Sequence, residues 1–347
     1  MDKKVVNILK YILWGGVAIV LLYFSFRSVQ WSDFAAALAA CRWGWVIVSM
    51  LLGALVLYVR GLRWRMQLLP IDPSTRALTC WNAYNICMIV NLVLPRAGEV
   101  VRCGYVTSHS ARDERGNRLA TLDKVFGTVV MDRIWDALSL LIVLALLLSL
   151  MWSRFGAFFE ENIFSGLSGK AGLAWIVAGG ALLAAFGVYL SWRFRDRGRL
   201  WGRIWSLIKG VGDGLSSCLR MKQGWGFIAY TVVIWGLYWL MCATVMWSLQ
   251  GISPEGLSPE MAASLEKINA LGMSDALFLM FAGALSSIVP VPGGFGAFHT
   301  VVAGALLSIY GIPFPVGLIF ATLSHESQVV TDALCGAVSY AYETLHK

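Results

Sequence analysis

"NLVLPRAGEVVR", residues 91–102, closes an apolar run over residues 80–94 that is too short to cross a membrane, and it does so with a proline, two arginines, a glycine and a glutamate. The chain around it has 347 residues, 58% of them hydrophobic and only 14% charged, where soluble proteins carry about 25% charged residues. That composition excludes an ordinary soluble enzyme and describes a polytopic membrane protein. A spanning helix needs roughly 20 apolar residues. Residues 8–26, 43–59, 125–152, 173–192 and 225–249 meet or approach that length, and residues 313–342 form a sixth long segment with a polar middle.

The net charge of +8 reports orientation before it reports a nucleic-acid partner, because basic residues collect in cytoplasmic loops. With a cytoplasmic N-terminus, the inner segments (1–10, 60–79, 96–124, 193–224 and the C-terminus) hold 22 Lys and Arg and the outer loops hold five. Both termini are therefore expected on the cytoplasmic side. The seven cysteines form no CxxC pair and read as small core residues. "LAAC", ending at Cys41, is separated by Arg27 and Asp33 from any apolar leader, and residues 1–26 read as a retained helix.

A second interrupted segment lies later in the chain, where residues 276–289 and 295–310 are joined by "PVPGGFG". At about 1.5 Å per residue these arms reach about 21 and 24 Å, short of the roughly 30 Å hydrocarbon core. Both interrupted segments read as re-entrant hairpins, the first entering from the cytoplasmic side near Arg76 and the second from the outer side after Glu255, Glu260 and Glu266. Backbone freed by a turn at membrane depth must face protein or a water-filled cavity. Matching interruptions in two halves point to a transporter site at their interface. The predicted fold is one all-α membrane domain of about six full helices plus two re-entrant hairpins, its inverted halves being 1–152 and 173–347. Full-length hairpins with turns among the headgroups satisfy the same charge count.

The hairpin turns contain Pro95 and Gly98 in the first case, and Pro290, Pro292, Gly293, Gly294 and Gly296 in the second. Arg96, Glu99 and Arg102 are the charges near the first tip. The arginines offer planar donors to phosphate or snorkel to headgroups, and Glu99 pairs with one of them or takes a proton. In the third helix Asp132 and Asp136 share a face, and Arg133 is placed to pair with Asp136; the stripe either touches substrate or braces the fold. "TLSHESQVVTD" puts His325, Gln328 and Asp332 on one face of the last helix, with Glu326 turned elsewhere. "HESQV" lacks the second histidine of a zinc protease motif, and no histidine or cysteine spacing suggests a metal, so neither metal nor cofactor is expected. Residues 193–224 read as a basic amphipathic connector attracted to anionic headgroups, or as plain positive-inside bias.

Three motifs, "LPRAGEVVR" at 94–102, "TVVMDRIWDAL" at 128–138 and "PVPGGFGAFH" at 290–299, resemble the membrane region of lysylphosphatidylglycerol synthases, a flippase-like domain that also occurs alone. The resemblance covers most of the chain. It implies that Glu99 and Arg102 form a Gly-Glu-x-x-Arg element, that Arg133 and Asp136 form an acidic-Arg-x-x-Asp element with Asp132 where glutamate is usual, and that Pro292, Gly293, Gly294 and Gly296 form the second turn. Two departures stand out: the first turn is one residue shorter than the common pattern, and His299 replaces a glutamate. The soluble synthase domain is absent from these residues, so synthesis is not carried over.

The function these features imply is a bacterial inner-membrane lipid transporter or flippase for an anionic or phosphate-bearing lipid, such as a phospholipid or a polyprenyl-phosphate-type lipid. The arginines would hold phosphate, and carboxylates with His299 or His325 would couple movement to protons. A membrane-embedded transferase on a lipid-linked substrate, with Glu99 or Asp136 as base, and a membrane scaffold for a partner synthase are the alternatives. A homo-oligomer fits any of them, and no nucleic acid is expected.

Overall fold

A computed structural model describes residues 3–27, 29–152, 186–194, 201, 202, 205, 224–253, 255 and 257–346. Most of the expected connector at 193–224 and most of the expected helix at 173–192 lie outside these residues. The helices are α1 (Lys3–Phe26), α2 (Trp31–Ala40), α3 (Trp43–Leu68), α4 (Ala77–Val93), α5 (Ala97–Ser108), α6 (Leu122–Leu150), α7 (Gly224–Leu249), α8 (Pro259–Asn269), α9 (Met273–Ser286), α10 (Ala297–Tyr310) and α11 (Phe314–Leu345), with a 3-10 turn at Pro292–Gly294. No strand occurs among the described residues.

Helices α3, α6 and α7, and the stretch from the 3-10 turn through α10, are long and apolar enough to span a membrane. Two bent pairs, Leu13–Phe26 with α2 and α8 with α9, raise the number from four to six if each is one span. Large apolar side chains such as Ile19, Leu51, Val93 and Val232 stand exposed, as they do where lipid replaces water. The protein is an all-α polytopic membrane protein.

Contacts divide the chain into two compact units, Met1–Val130 with Gly226–Lys347, and Met131–Trp225. In the first unit α11 packs along α3, α4 and α10, and α3 packs on α4. One apolar cluster gathers Trp64, Tyr84, Cys103, Val106, Val125 and Val129, and another joins α3 to α7 through Val56, Val59, Ile234 and Met241. Five of the cysteines, at 41, 80, 87, 103 and 242, are buried, as small core residues should be. In the second unit the remainder of α6 carries buried Asp132 and buried Val143, Leu147 and Met151.

Two boundaries differ from expectation. The second spanning helix was expected to stop at Val59, before three closely spaced arginines; α3 instead continues to Leu68 with Arg60 and Arg63 buried. Arg60 Nη1 donates to Tyr238 Oη at 2.9 Å and its guanidinium lies over the Tyr84 ring, while Arg63 lies over Phe227. Aromatic partners supply a favourable setting for guanidinium groups, so charge did not end the helix. The acidic loop expected on the outer side contains α8, whose first turn is capped by Ser258 Oγ accepting from Met261 N at 3.4 Å, with proline early in the helix where its missing N–H costs nothing.

The short connection between α3 and α4 is organised by Asp72, which is almost fully buried. Its carboxylate accepts from Ser74 N (3.0 Å), Ser74 Oγ (2.6 Å), Ser110 Oγ (2.7 Å) and Ala111 N (2.9 Å). Burial pushes this carboxyl up, but the hydrogen bonds from Ser74, Ser110 and Ala111 together outweigh it and hold it below the ordinary carboxylate range. A depressed folded-state pKa contributes stability above the unfolded value of about 3.9 and loses it as pH falls through the folded value. Asp72→Asn should therefore lower stability by about 2 kcal/mol at neutral pH. The gap in melting temperature between the two proteins should close as pH is lowered from about 6 to about 3; a gap independent of pH would contradict the assignment.

Candidate functional site

The first hairpin reverses in three residues. Leu94 is extended (φ −121°, ψ 101°), as a residue preceding proline must be, and Arg96 makes the turn from the left-handed region (φ 62°, ψ 2°). Arg96 is the single non-glycine residue with positive φ among those described. The N-terminal amides of α5 then open at the tip. Asn91 Oδ1 accepts from Gly98 N at 2.9 Å, and Asn91 Nδ2 donates to Glu99 Oε2 at 3.4 Å. A Cβ on Gly98 would stand 2.2 Å from the Cys87 carbonyl oxygen, so only glycine lets the two arms lie this close.

The second hairpin spreads its reversal over the 3-10 turn. Val291, between Pro290 and Pro292, is extended, and Gly293, Gly294 and Gly296 all have positive φ, which glycine adopts without steric cost. The tip rests on α1, where a Cβ on Gly296 would meet Leu21 Cβ at 2.7 Å, and Ser25 Oγ lies 2.9 Å from Thr300 Oγ1. The 3-10 turn also packs on α4. Leu92, two residues before the first tip, reaches within 3.3 Å of where a Gly293 side chain would begin. The two tips meet, and the N-termini of α5 and α10, where partial positive charge accumulates, both start there.

The last helix supplies the third wall. His325 Nε2 lies 2.9 Å from the Gly293 carbonyl oxygen; a carbonyl only accepts, so this nitrogen carries the hydrogen. Helical spacing set Glu326 apart from the His325 face, but its Oε1 lies 3.1 Å from His325 Nδ1 and 3.6 Å from His299 Nε2. α10, which carries His299, packs against α11, and Glu326 reaches toward both imidazoles. Asp332, two turns on, interacts electrostatically with Arg60 and His325. Asn85 Nδ2 donates to Ser339 Oγ at 2.8 Å and ties α4 to the same helix.

The charges near the first tip divide by exposure. Arg96 is exposed and Glu99 half-buried. Arg102 is fully buried, its guanidinium 4.5 Å from the Tyr84 ring centroid and 4.7 Å from that of Trp64. Full burial sets it apart from a side chain that snorkels to headgroups. Asp132, Arg133 and Asp136 belong to the second unit, where Arg133 Nη1 lies 3.7 Å from Asp136 Oδ2, the pairing expected from their spacing. The first unit thus brings Pro95, Arg96, Gly98, Glu99, Pro290, Pro292, Gly293, Gly294, Gly296, His299, His325 and Glu326 around the joined tips. Arg60 and Arg63 were missed as buried groups. Their spacing with Val56, Leu57 and Trp64 on one face of α3 was the available signal, and it was masked by reading charge as loop.

Arg96 in the left-handed region carries strain of about 1 kcal/mol. Such strain persists where the surroundings or a function require that side chain. Arg96→Gly should raise stability by about that amount, read as an increase in melting temperature in detergent. A lower melting temperature would show that the side chain holds the turn together.

The lysylphosphatidylglycerol synthase TM region family matches residues 11–336, nearly the whole chain. No curated protein and no solved structure matches it. The two joined hairpins and the histidines beside them therefore lie inside the matched region, and the chain belongs to the lysylphosphatidylglycerol synthase TM region family.

Proposed function

We propose that the chain moves an anionic or phosphate-bearing lipid between the leaflets of a bacterial inner membrane, with both termini cytoplasmic and the headgroup passing the joined hairpin tips. The observation that carries this reading is the meeting of two helical hairpins. Taken as single helices, their arms have 17 and 12 residues in one and 14 each in the other, each short of the roughly 30 Å hydrocarbon core; the last of them reaches spanning length only together with the 3-10 turn before it. Re-entrant hairpins in inverted halves place helix N-termini toward an anionic group at the membrane midplane. Arg96 is the exposed cation at that point, and a guanidinium binds phosphate in a fork that an ammonium does not reproduce. Arg102 acts one layer behind, setting the arm through Trp64 and Tyr84. Membership of a lipid-related membrane family supports the substrate class.

Reconstituted vesicles carrying a labelled anionic phospholipid test the proposal. Arg96→Gly, which relieves strain and preserves the fold, should slow lipid movement at least about tenfold, equivalent to about 1.4 kcal/mol of lost stabilisation, and Arg96→Lys should recover only part of it. Glu99→Gln should slow it too while leaving monodisperse elution unchanged. Wild-type rates in all three variants would remove the tips from the path. Chemical conversion of the lipid by the pure protein would instead favour a transferase.

A further inference from the structure

We propose that His299, His325 and Glu326 form a binding site for a divalent first-row transition metal of the zinc class. One ligand atom from each of the three lies within 4.8 Å of the others. His325 donates through Nε2 to the Gly293 carbonyl, which leaves the lone pair of the neutral ring on Nδ1. Glu326 Oε1 lies 3.1 Å from that nitrogen, close enough for the two atoms to share one bound cation. His299 aims Nε2 at the same oxygen from 3.6 Å, beyond hydrogen-bond length, while its Nδ1 is buried without a hydrogen-bond partner.

The two separations to Glu326 suit a metal. Two ligands each about 2.05 Å from a tetrahedral zinc ion stand about 3.3 Å apart, between the two distances observed to Glu326. The supporting shell suits it too. A metal-binding histidine characteristically donates its other ring nitrogen to a carbonyl or carboxylate, which fixes its orientation, and His325 does so to Gly293. Phe26, Phe295 and Phe298 pack against the two imidazoles, with ring centroids 5.6 Å from His299 and 5.1 and 5.2 Å from His325 respectively. This apolar surround keeps water from competing on that side. Two histidines and a glutamate leave a fourth position open, and the site opens where Glu326 is 40% exposed. Sequence spacing hides this set, because two ligands are adjacent in α11 and the third comes from α10.

The test uses the full chain in detergent, freed of any affinity tag and treated with a chelator. Titration with zinc chloride followed by calorimetry should show one tight site per chain, and cobalt(II) should give the visible absorption of a metal bound by nitrogen and oxygen. His325→Ala and His299→Gln should each weaken binding at least about tenfold, and Glu326→Gln should do the same. His109→Ala, at the separate pair His109 and Glu343, should leave it unchanged. Absence of a stoichiometric site in the wild-type protein would overturn the proposal whether or not any variant folds, as would affinity equal to wild type in the histidine variants. Lipid transport is not part of this readout, so the metal site and the transport reading stand or fall separately.

Discussion

Each hairpin turn releases backbone N–H and C=O groups inside the packed bundle, and neighbouring helices of the first unit supply side chains that satisfy them. Asn91 does this for the first turn by accepting from the Gly98 amide. His325 does it for the second by donating to the Gly293 carbonyl. Both partners come from helices that already border the turn, so the tips are fixed by the surrounding bundle as well as by their own residues. A buried polar group left unsatisfied costs about 1–3 kcal/mol, so these bonds help to hold α4 and α11 where they lie.

The two turns solve the same reversal with opposite chemistry. The second uses three left-handed glycines and can follow the surface of α1 closely. The first places an arginine directly after the proline and accepts the strain. A shorter turn leaves no neutral position for the left-handed residue, so the strained site and the exposed charge coincide at Arg96. Histidine at 299 has a comparable consequence. It places a second imidazole beside Glu326, so that three groups able to ligate a metal stand together.

Aromatic rings flank the buried arginines of the first unit. Arg60, Arg63 and Arg102 each lie against Tyr84, Phe227 or Trp64, and Trp64 in turn donates to Thr128 Oγ1 at 2.9 Å. A guanidinium is weakly hydrated and stacks on aromatic faces, so arginines can enter the packed interior of α3 and α5. This stack also stiffens the base of the first hairpin, because Tyr84 belongs to one arm and Arg102 to the other.

Composition and run length alone determined that the chain is helical and membrane-embedded, because burying backbone in lipid permits few alternatives. Proline and glycine placed both hairpin turns to within a few residues, since their φ preferences act locally. The pairing of Arg133 with Asp136 was legible for the same reason: it depends only on helical spacing. The course of α3 past Arg60, the enclosure of Arg102 and the turning of Glu326 toward His299 and His325 were decided by tertiary structure. Each depends on a partner far away in sequence: Tyr238 for Arg60, Trp64 for Arg102, and α10 for Glu326. A side chain's cost in an apolar setting is set by what meets it across the bundle, and helical periodicity carries no information about that neighbour.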